Sequence, residues 1–476
     1  MEAQLKEVIR DFPDYPKPGI IFKDISPILM DMDLYGQVIS TFADRIRKLN
    51  VDAIAGVESR GFWFGPAIAK QLNVPFVPIR KLGKLPGETY SYSYDLEYGS
   101  AVIEVQKNSY NEFLKSKSLN DQLNELSTGI DKVFKSGNLI LSDENTKLEQ
   151  EINEYLGTKY CLTLNSGTDA LMMALWAIGI KKGDEVITSA ISFIATAAAI
   201  AHLGAKPVFV DVKEDLNIDE NKIKEKITSK TKAIVPVHWT GKMCNLEIIN
   251  NIAKKNNLKV IEDAAQAIGS KINNIRPGQY SEVATFSTHP LKILNALGDG
   301  GFLVTNNEEI YEKIKKYRNH GTIGRDQYEF FGVNSRMDSL NAAVIRFRLK
   351  KVDEVILKRN ENVNFFREYI TNEDFEIPQH ENNQINSFTM LVCRSSKRDN
   401  LQKYLIDKGI QSLIYYGTPL HLHKASKILN YKVGDFPLAE KVCNKVISIP
   451  FHQYLKDDEK EYIVKNVNSF YETKFN

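Results

Sequence analysis

Cysteine is scarce and scattered in this chain: Cys161, Cys244, Cys393 and Cys443 are its four, and none forms a CxxC pair. That spacing excludes a disulfide framework and argues against a zinc site, so reduced thiols and no metal are expected. An excess of either charge is also lacking. Lys and Arg number 62 against 60 Asp and Glu, a formal net charge of +2, which gives neither nucleic acid nor an anionic membrane a reason to bind. Long apolar runs are missing. The most apolar stretch, AISFIATAAAIAHLGA (190–205), is too short to span a bilayer and reads as a strand end entering a buried helix. The opening residues MEAQLKEVIRDFPDYP lack the basic-then-apolar pattern of a secretion signal, so a cytoplasmic protein is expected.

What is present is ordinary globular composition over an extraordinary length for one core. With 476 residues, two or three folding units are expected. A polar joint, NSYNEFLKSKSLND (108–121), separates two stretches of different character, and the pattern changes again near 355. The expected organisation is therefore 1–108, 109–354 and 355–476.

Seven short apolar runs follow the joint: 160–165, 184–189, 206–211, 232–238, 258–263, 283–288 and 301–306. Most are separated by helical patterns such as LEIINNIAKKNN (246–257) or by turn signals. Alternation of this kind predicts an α/β fold with a seven-stranded, mostly parallel sheet covered on both faces. The stretch after 355, with strand candidates at 387–393 and 445–450, predicts a smaller α+β domain. In parallel sheets ligands sit beyond the carboxyl ends of the strands, so those ends carry the functional question.

Three of them hold chemistry. The first run ends in NSGTDALMMAL, where a Gly turn opens a helix; its amides and hydroxyls suit a phosphate, or form a plain N-cap. The fifth ends on Asp263, a carboxylate placed where burial demands a cation, whether a protonated pyridine or a structural Arg or Lys. The sixth runs into FSTHPLK, placing Lys292 just past a strand; a lysine there is either solvated or positioned to form a Schiff base with an aldehyde cofactor.

The motifs LNSGTDALMMAL, ISFIATAAAIAHLGAKPVFVDV, VIEDAAQAIGS, TFSTHPLKILNALGDGG and GVNSRMDSLNAAV, in this order, resemble the DegT/DnrJ family of nucleotide-sugar aminotransferases, which are fold-type I pyridoxal phosphate (PLP) enzymes. The likeness runs from about 113 to 476 and continues into LIYYGTPLHLHKA and PLAEKVCNKVISIP. It implies that Lys292 carries the cofactor and moves the proton between Cα and C4′. It further implies Asp263 on the pyridine nitrogen, Gln266 near the phenolic oxygen, and Gly167, Thr168 and Ser287 on the phosphate. Phe193 would stack on the ring, and Asn334 would reach the phosphate of a second subunit, making the active unit a homodimer with shared sites. The amino donor would be glutamate and the acceptor a keto group on a nucleotide-linked sugar. His421 and Tyr415 match positions near the substrate, although Tyr415 and Gly417 depart from the family's His-Tyr-Pro form. A PLP- or PMP-dependent sugar dehydratase is the alternative, and it is disfavoured because Lys292 is present.

The first hundred residues differ. DFPDYPKPGIIFKDISPIL, AGVESRGFWFGPAIA and IRKLGKLPGETYSYSYDLEYG resemble adenine phosphoribosyltransferase over residues 5–107. That resemblance implies a purine stacked on Phe22, pyrophosphate contacts from Arg60, Arg80, Lys81 and Lys84, and Glu97 near the reacting base. The family's next core strand and its ribose-phosphate loop are absent; the chain passes from AVIEVQK into the joint. An inactive, truncated segment with an unpaired sheet edge is expected, the other reading being an adenine-binding module.

Overall fold

In the computed structural model, the described residues are 2–15, 17–49, 51–96, 99–107, 124–379, 381 and 383–472. The expected joint at 108–121 lies outside them, as does Glu97. The chain divides into two compact units, Met1–Glu125 and Leu126–Asn476.

The first unit contains a hairpin of β1 (Arg10–Pro13) and β2 (Ile21–Asp24), helices α1 (Met32–Arg47) and α2 (Arg60–Leu72), and four further strands. These are β3 (Ile54–Val57), β4 (Phe76–Lys81), β5 (Thr89–Leu96) and β6 (Gly99–Gln106), in the order β3-β4-β6-β5. Helix α2 lies on the sheet because Gly56, Gly61 and Gly65 remove the side chains that would separate them. A Cβ on Gly65 would come within 2.4 Å of the Phe76 ring. Strand β3 pairs only with β4, and Val57 on it is exposed, so the unpaired edge expected from the sequence is present among the described residues.

In the second unit, α3 (Asp143–Leu156) leads into β7 (Tyr160–Leu164) and α4 (Gly167–Ala177). Then come β8 (Glu185–Ser189), α5 (Ile194–His202), β9 (Lys206–Val210), β10 (Thr231–Val235), α6 (Leu246–Lys255) and β11 (Lys259–Asp263). After these, β12 (Val283–Ser287), β13 (Gly301–Thr305) and α7 (Glu308–Tyr317) complete the central layer. The strand order is β7-β13-β12-β11-β10-β8-β9. All seven expected runs are strands of this one sheet. Only β13 runs antiparallel to its neighbours, pairing that way with both β12 and β7.

The alternation within each strand explains the two layers of helices. Ala233, Val235, Ile261 and Leu303 face α4, α5 and α7. Ile234 and Val260 face α6, while Phe302 and Val304 face α3, α8 (Ser339–Leu349) and α9 (Val352–Tyr369). Helix α6 shows the local logic. Leu246, Ile249, Ile252 and Ala253 form its buried stripe, and Asn245 caps it by accepting from the Ile248 amide at 3.2 Å.

Towards the C-terminus come β14 (Val392–Arg394), α10 (Arg398–Asp407), α11 (Pro437–Cys443), β15 (Val446–Ser448) and α12 (Asp457–Glu472). Strands β14 and β15 pair antiparallel. The strand expected over 387–393 is mostly absent: residues 386–391 form a bent segment, and Phe388 sits at φ +46°. An apolar run bonded to another loop rather than to a strand edge satisfies its amides without a ladder.

Candidate active site

A cleft of about 1180 Å³ opens beyond the carboxyl ends of the parallel strands. Its floor comes from residues just after β7, β8, β11 and β12, and its far wall from the segments around 389, 411–416 and 448–463. Gly167, Thr168, Phe193, Asp263, Gln266, Ser287, Lys292 and Tyr415 all line it. Side chains separated by more than 200 positions in sequence are thus brought together by the sheet.

At the end of β7, Ser166 caps α4 by accepting from the Asp169 amide at 3.1 Å. The N-cap reading of this turn is therefore correct, and it is compatible with the other one: the cap satisfies one first-turn amide and leaves the remaining ones to a ligand. Two glycines make the turn possible. A Cβ on Gly167 would come within 2.8 Å of the Ser287 Cβ, and one on Gly301 within 2.5 Å of the Gly167 nitrogen. The result is a turn that presents first-turn amides and the Ser166 and Thr168 hydroxyls at the cleft floor, the donor set an oxyanion would take.

Asp263, 5% exposed, ends β11. Its Oδ2 accepts from the Thr196 hydroxyl at 2.7 Å and its Oδ1 from the Ala265 amide at 3.2 Å. Neither partner is a cation, so a buried carboxylate is oriented into the cleft by neutral donors, with the Lys292 charge near enough to interact with it. Thr196 was not foreseen from the sequence. It lies three residues after Phe193 in the first turn of α5, buried behind the cleft lining, where its hydroxyl reaches Asp263.

Lys292 follows β12 in a loop tied to itself. The His289 amide donates to Ser287 Oγ at 3.3 Å, the Lys292 amide to the His289 carbonyl at 2.8 Å, and the Ala296 amide to the Thr288 carbonyl at 2.7 Å. Burial pulls the Lys292 ammonium below the usual lysine range, and the charge of Asp263 opposes that shift. An amine that deprotonates more readily is a better nucleophile towards an aldehyde.

The Gln266 Oε1 accepts from the Thr240 amide at 2.7 Å. Tyr416 reaches the same place from the far wall. Burial raises its phenol well above the ordinary value, Asp263 and Tyr415 add to the rise, and a hydrogen bond with Gln266 opposes it. Its ring stands 6.1 Å from that of Phe193 and 5.1 Å from that of Trp239. Tyr416, Thr389, His289 and Asp299 also line the cleft and were not foreseen; among them only Tyr416, adjacent to Tyr415, had a signal in the sequence.

Two expected residues lie elsewhere. His421 is buried behind the wall, with Nε2 3.0 Å from Glu440 Oε1 and its ring 4.7 Å from that of Phe436. It does not line the cleft, because the short helical turn at Leu420–Leu422 directs it into the core. Asn334 is exposed, bridged to Asn319, and not among the lining residues.

In the first unit the Arg60 guanidinium lies 4.9 Å over the Phe22 ring and donates to the Lys23 carbonyl at 3.0 Å. Arg80 is paired with Glu58 at 3.0 Å and donates to the Lys84 carbonyl at 2.9 Å. Lys81 and Lys84 are exposed.

An α/β sheet with a lysine, a buried aspartate and a glycine turn of free amides at its carboxyl edge has the groups that a pyridoxal phosphate transaminase needs. The sequence agrees: residues 121–468 match the model of the DegT/DnrJ/EryC1/StrS aminotransferase family, and the chain belongs to it. It is 38% identical to a pleiotropic regulatory protein of Geobacillus stearothermophilus over 73% of this chain and 94% of the relative. It is also 38% identical to the dTDP-3-amino-3,6-dideoxy-alpha-D-galactopyranose transaminase of Aneurinibacillus thermoaerophilus, over 73% and 95%. The fold resembles that of Streptomyces venezuelae DesV, solved in complex with a ketimine intermediate, with a TM-score of 0.72 at 31% identity over 75% and 97%.

Proposed function

We propose that the chain transfers an amino group from glutamate to a keto group of a nucleotide-linked sugar, with Lys292 as its catalytic residue. The observation that carries this reading is the convergence of Lys292, Asp263 and the Gly167 cradle in one cleft of about 1180 Å³. That volume exceeds what a cofactor alone requires and leaves room for a sugar. Pyridoxal phosphate supplies an electron sink that stabilises a carbanion next to nitrogen. The chain supplies the rest. Gly167, Thr168 and Ser287 would hold the phosphate. Asp263, oriented by Thr196, would meet the pyridine nitrogen, and Phe193 would lie against the ring. The Lys292 amine, lowered in basicity by burial, would anchor the cofactor and serve as the acid and base of the site.

A homodimer with shared sites accords with the charges. Among the described residues lining the cleft, Lys292 is the one lysine or arginine, whereas Asp263, Asp299, Asp458 and Glu459 are acidic. A phosphate and a sugar diphosphate need more cations than that, and a second copy can provide them. Asn334, exposed and outside this cleft, is available to such a neighbour.

For the first unit, the proposal is a phosphoribosyltransferase-like segment that does not catalyse. The Phe22 ring is covered by Arg60, and Arg80 is occupied by Glu58. Tyr415 and Gly417 stand where a His-Tyr-Pro form would shape the sugar pocket, so they bear on the choice of sugar.

The test is direct. Protein loaded with pyridoxal phosphate should absorb in the visible, lose that band on adding glutamate, and aminate one member of a panel of UDP-, dTDP- and GDP-linked keto sugars. Protein that remains colourless and unmodified after pyridoxal phosphate and borohydride would refute the reading.

A further inference from the structure

Helix α9 lies behind the far wall of the cleft, and three polar side chains on it hold backbone carbonyls of that wall. Arg359 Nη1 donates to the Phe388 carbonyl at 2.9 Å and to the Thr389 carbonyl at 3.4 Å, and its Nε donates to Gln453 Oε1 at 3.1 Å. Its guanidinium lies 5.3 Å from the centre of the Phe451 ring. Asn360 donates to the Asn386 carbonyl at 2.9 Å, and Asn362 to those of Phe451 and His452 at 3.2 and 2.9 Å. Thr389, Phe451 and His452 line the cleft.

The Arg359 arrangement is an expensive one. Burial pushes the guanidinium down to about 10, and its hydrogen-bond acceptors are neutral. A desolvated cation without a carboxylate is uncommon, and a planar fork gripping carbonyls is what makes it tolerable. What it grips is strained: Phe388, a buried bulky aromatic, is at φ +46° in the left-handed region.

The segment held there reaches the cofactor-side wall by two routes. The Thr389 hydroxyl donates to the Gln266 carbonyl at 2.8 Å, beside a second bond from Ser387 Oγ at 2.9 Å. The Thr389 amide donates to the Thr240 carbonyl at 2.9 Å, and the Thr240 amide donates to Gln266 Oε1 at 2.7 Å. Because a backbone N–H occupies Oε1, the side-chain amide acts as a donor through Nε2, which has two hydrogens to share between the Tyr416 phenol and the cleft. There is no space for slack: a Cβ on Gly241 (φ +102°) would fall 2.1 Å from Ser387 Oγ and 2.9 Å from the Gln266 carbonyl oxygen.

We propose that Arg359 is a positioning residue for transamination, holding segment 386–390 so that Thr389 and Thr240 fix the direction in which the Gln266 amide is presented to the cleft. This rests on the placement of Gln266 beside the cofactor's phenolic oxygen. An amide N–H on that oxygen withdraws electron density from the chromophore, so its loss raises the pH at which the visible absorbance titrates.

The experiment titrates the visible absorbance of the PLP-loaded full chain against pH, for wild type, Arg359→Gln, Arg359→Lys and Thr389→Val, with kcat and KM for glutamate measured alongside. Arg359→Gln is expected to raise the midpoint by about half a pH unit or more, with kcat falling about tenfold and the KM for glutamate changing less than about twofold. Arg359→Lys, which keeps the charge but not the fork, should shift in the same direction by less. Thr389→Val, which removes the hydroxyl without changing volume, should raise the midpoint too. Should Arg359→Gln fail to fold, Arg359→Lys and Thr389→Val carry the test. Variants that hold the cofactor but titrate at the wild-type midpoint overturn the proposal. A wild-type chain with no visible band overturns the cofactor reading itself, which is a distinguishable failure.

Discussion

Gly167 and Ser287 meet at the floor of the cleft so closely that a Cβ on the glycine would stand 2.8 Å from the serine Cβ and 3.1 Å from its Cα. Both atoms belong to parts that cannot give way, since Gly167 opens α4 and Ser287 ends β12. Gly167→Ala should therefore push the helix start away from the strand and open the phosphate cradle. The expected outcome is at least tenfold weaker binding of pyridoxal phosphate, about 1.4 kcal/mol, with secondary structure retained. Titration followed by visible absorbance, with circular dichroism as control, checks it.

The basicity of Lys292 gives a prediction with a definite sign. Burial lowers its pKa and the Asp263 carboxylate raises it. The rate at which the amine captures pyridoxal phosphate should thus rise with pH and level off below the pH expected of an ordinary lysine. Asp263→Asn removes the opposing influence, so the inflection should move further down. Capture rates across pH 6–10 in both proteins measure this, and an inflection that rises in the variant would contradict the assignment.

Asp263 itself depends on Thr196. A hydroxyl donated to a carboxylate contributes about 1.5–3 kcal/mol, and the Thr196 bond at 2.7 Å has ordinary O–H···O length. Thr196→Val should leave the carboxylate less well held and less able to keep a proton on the pyridine nitrogen. A drop in kcat of about tenfold or more is expected, against a loss of at least about a hundredfold for Asp263→Asn. A Thr196→Val loss that persists undiminished in the Asp263→Asn background would show that Thr196 acts on something other than Asp263.

Much of this was legible in the sequence, for a physical reason. A strand buried on both faces must be a short continuous apolar run, which is why all seven showed and why their ends pointed to Asp263 and Lys292. Contacts made by backbone were not legible. Nothing in SFTMLVC distinguishes a strand from a segment bent at Phe388, because its amides bond to loops far away in sequence, such as Thr240. His421 was misplaced for a related reason: a histidine in a loop reads the same whether its ring meets a ligand or, as here, Glu440 and Phe436.

The two units also yield a prediction. The unit from Leu126 to Asn476 contains the whole cleft, and its core clusters draw on no residue before Leu148. Among the described residues the first unit has one small cluster centred on Ile28, Leu34 and Val38, and its strand β3 pairs with β4 alone, leaving its outer edge open. So small a core gives it marginal stability of its own. Removing residues 1–108 should accordingly leave cofactor binding and transamination within about twofold of the full chain, well below the tenfold that 1.4 kcal/mol would produce. Thermal unfolding of the full chain should show a low-temperature transition that the shortened chain lacks. A large loss of activity on deletion would mean that the first unit supports the site, and the search for its role would then begin at the β3 edge.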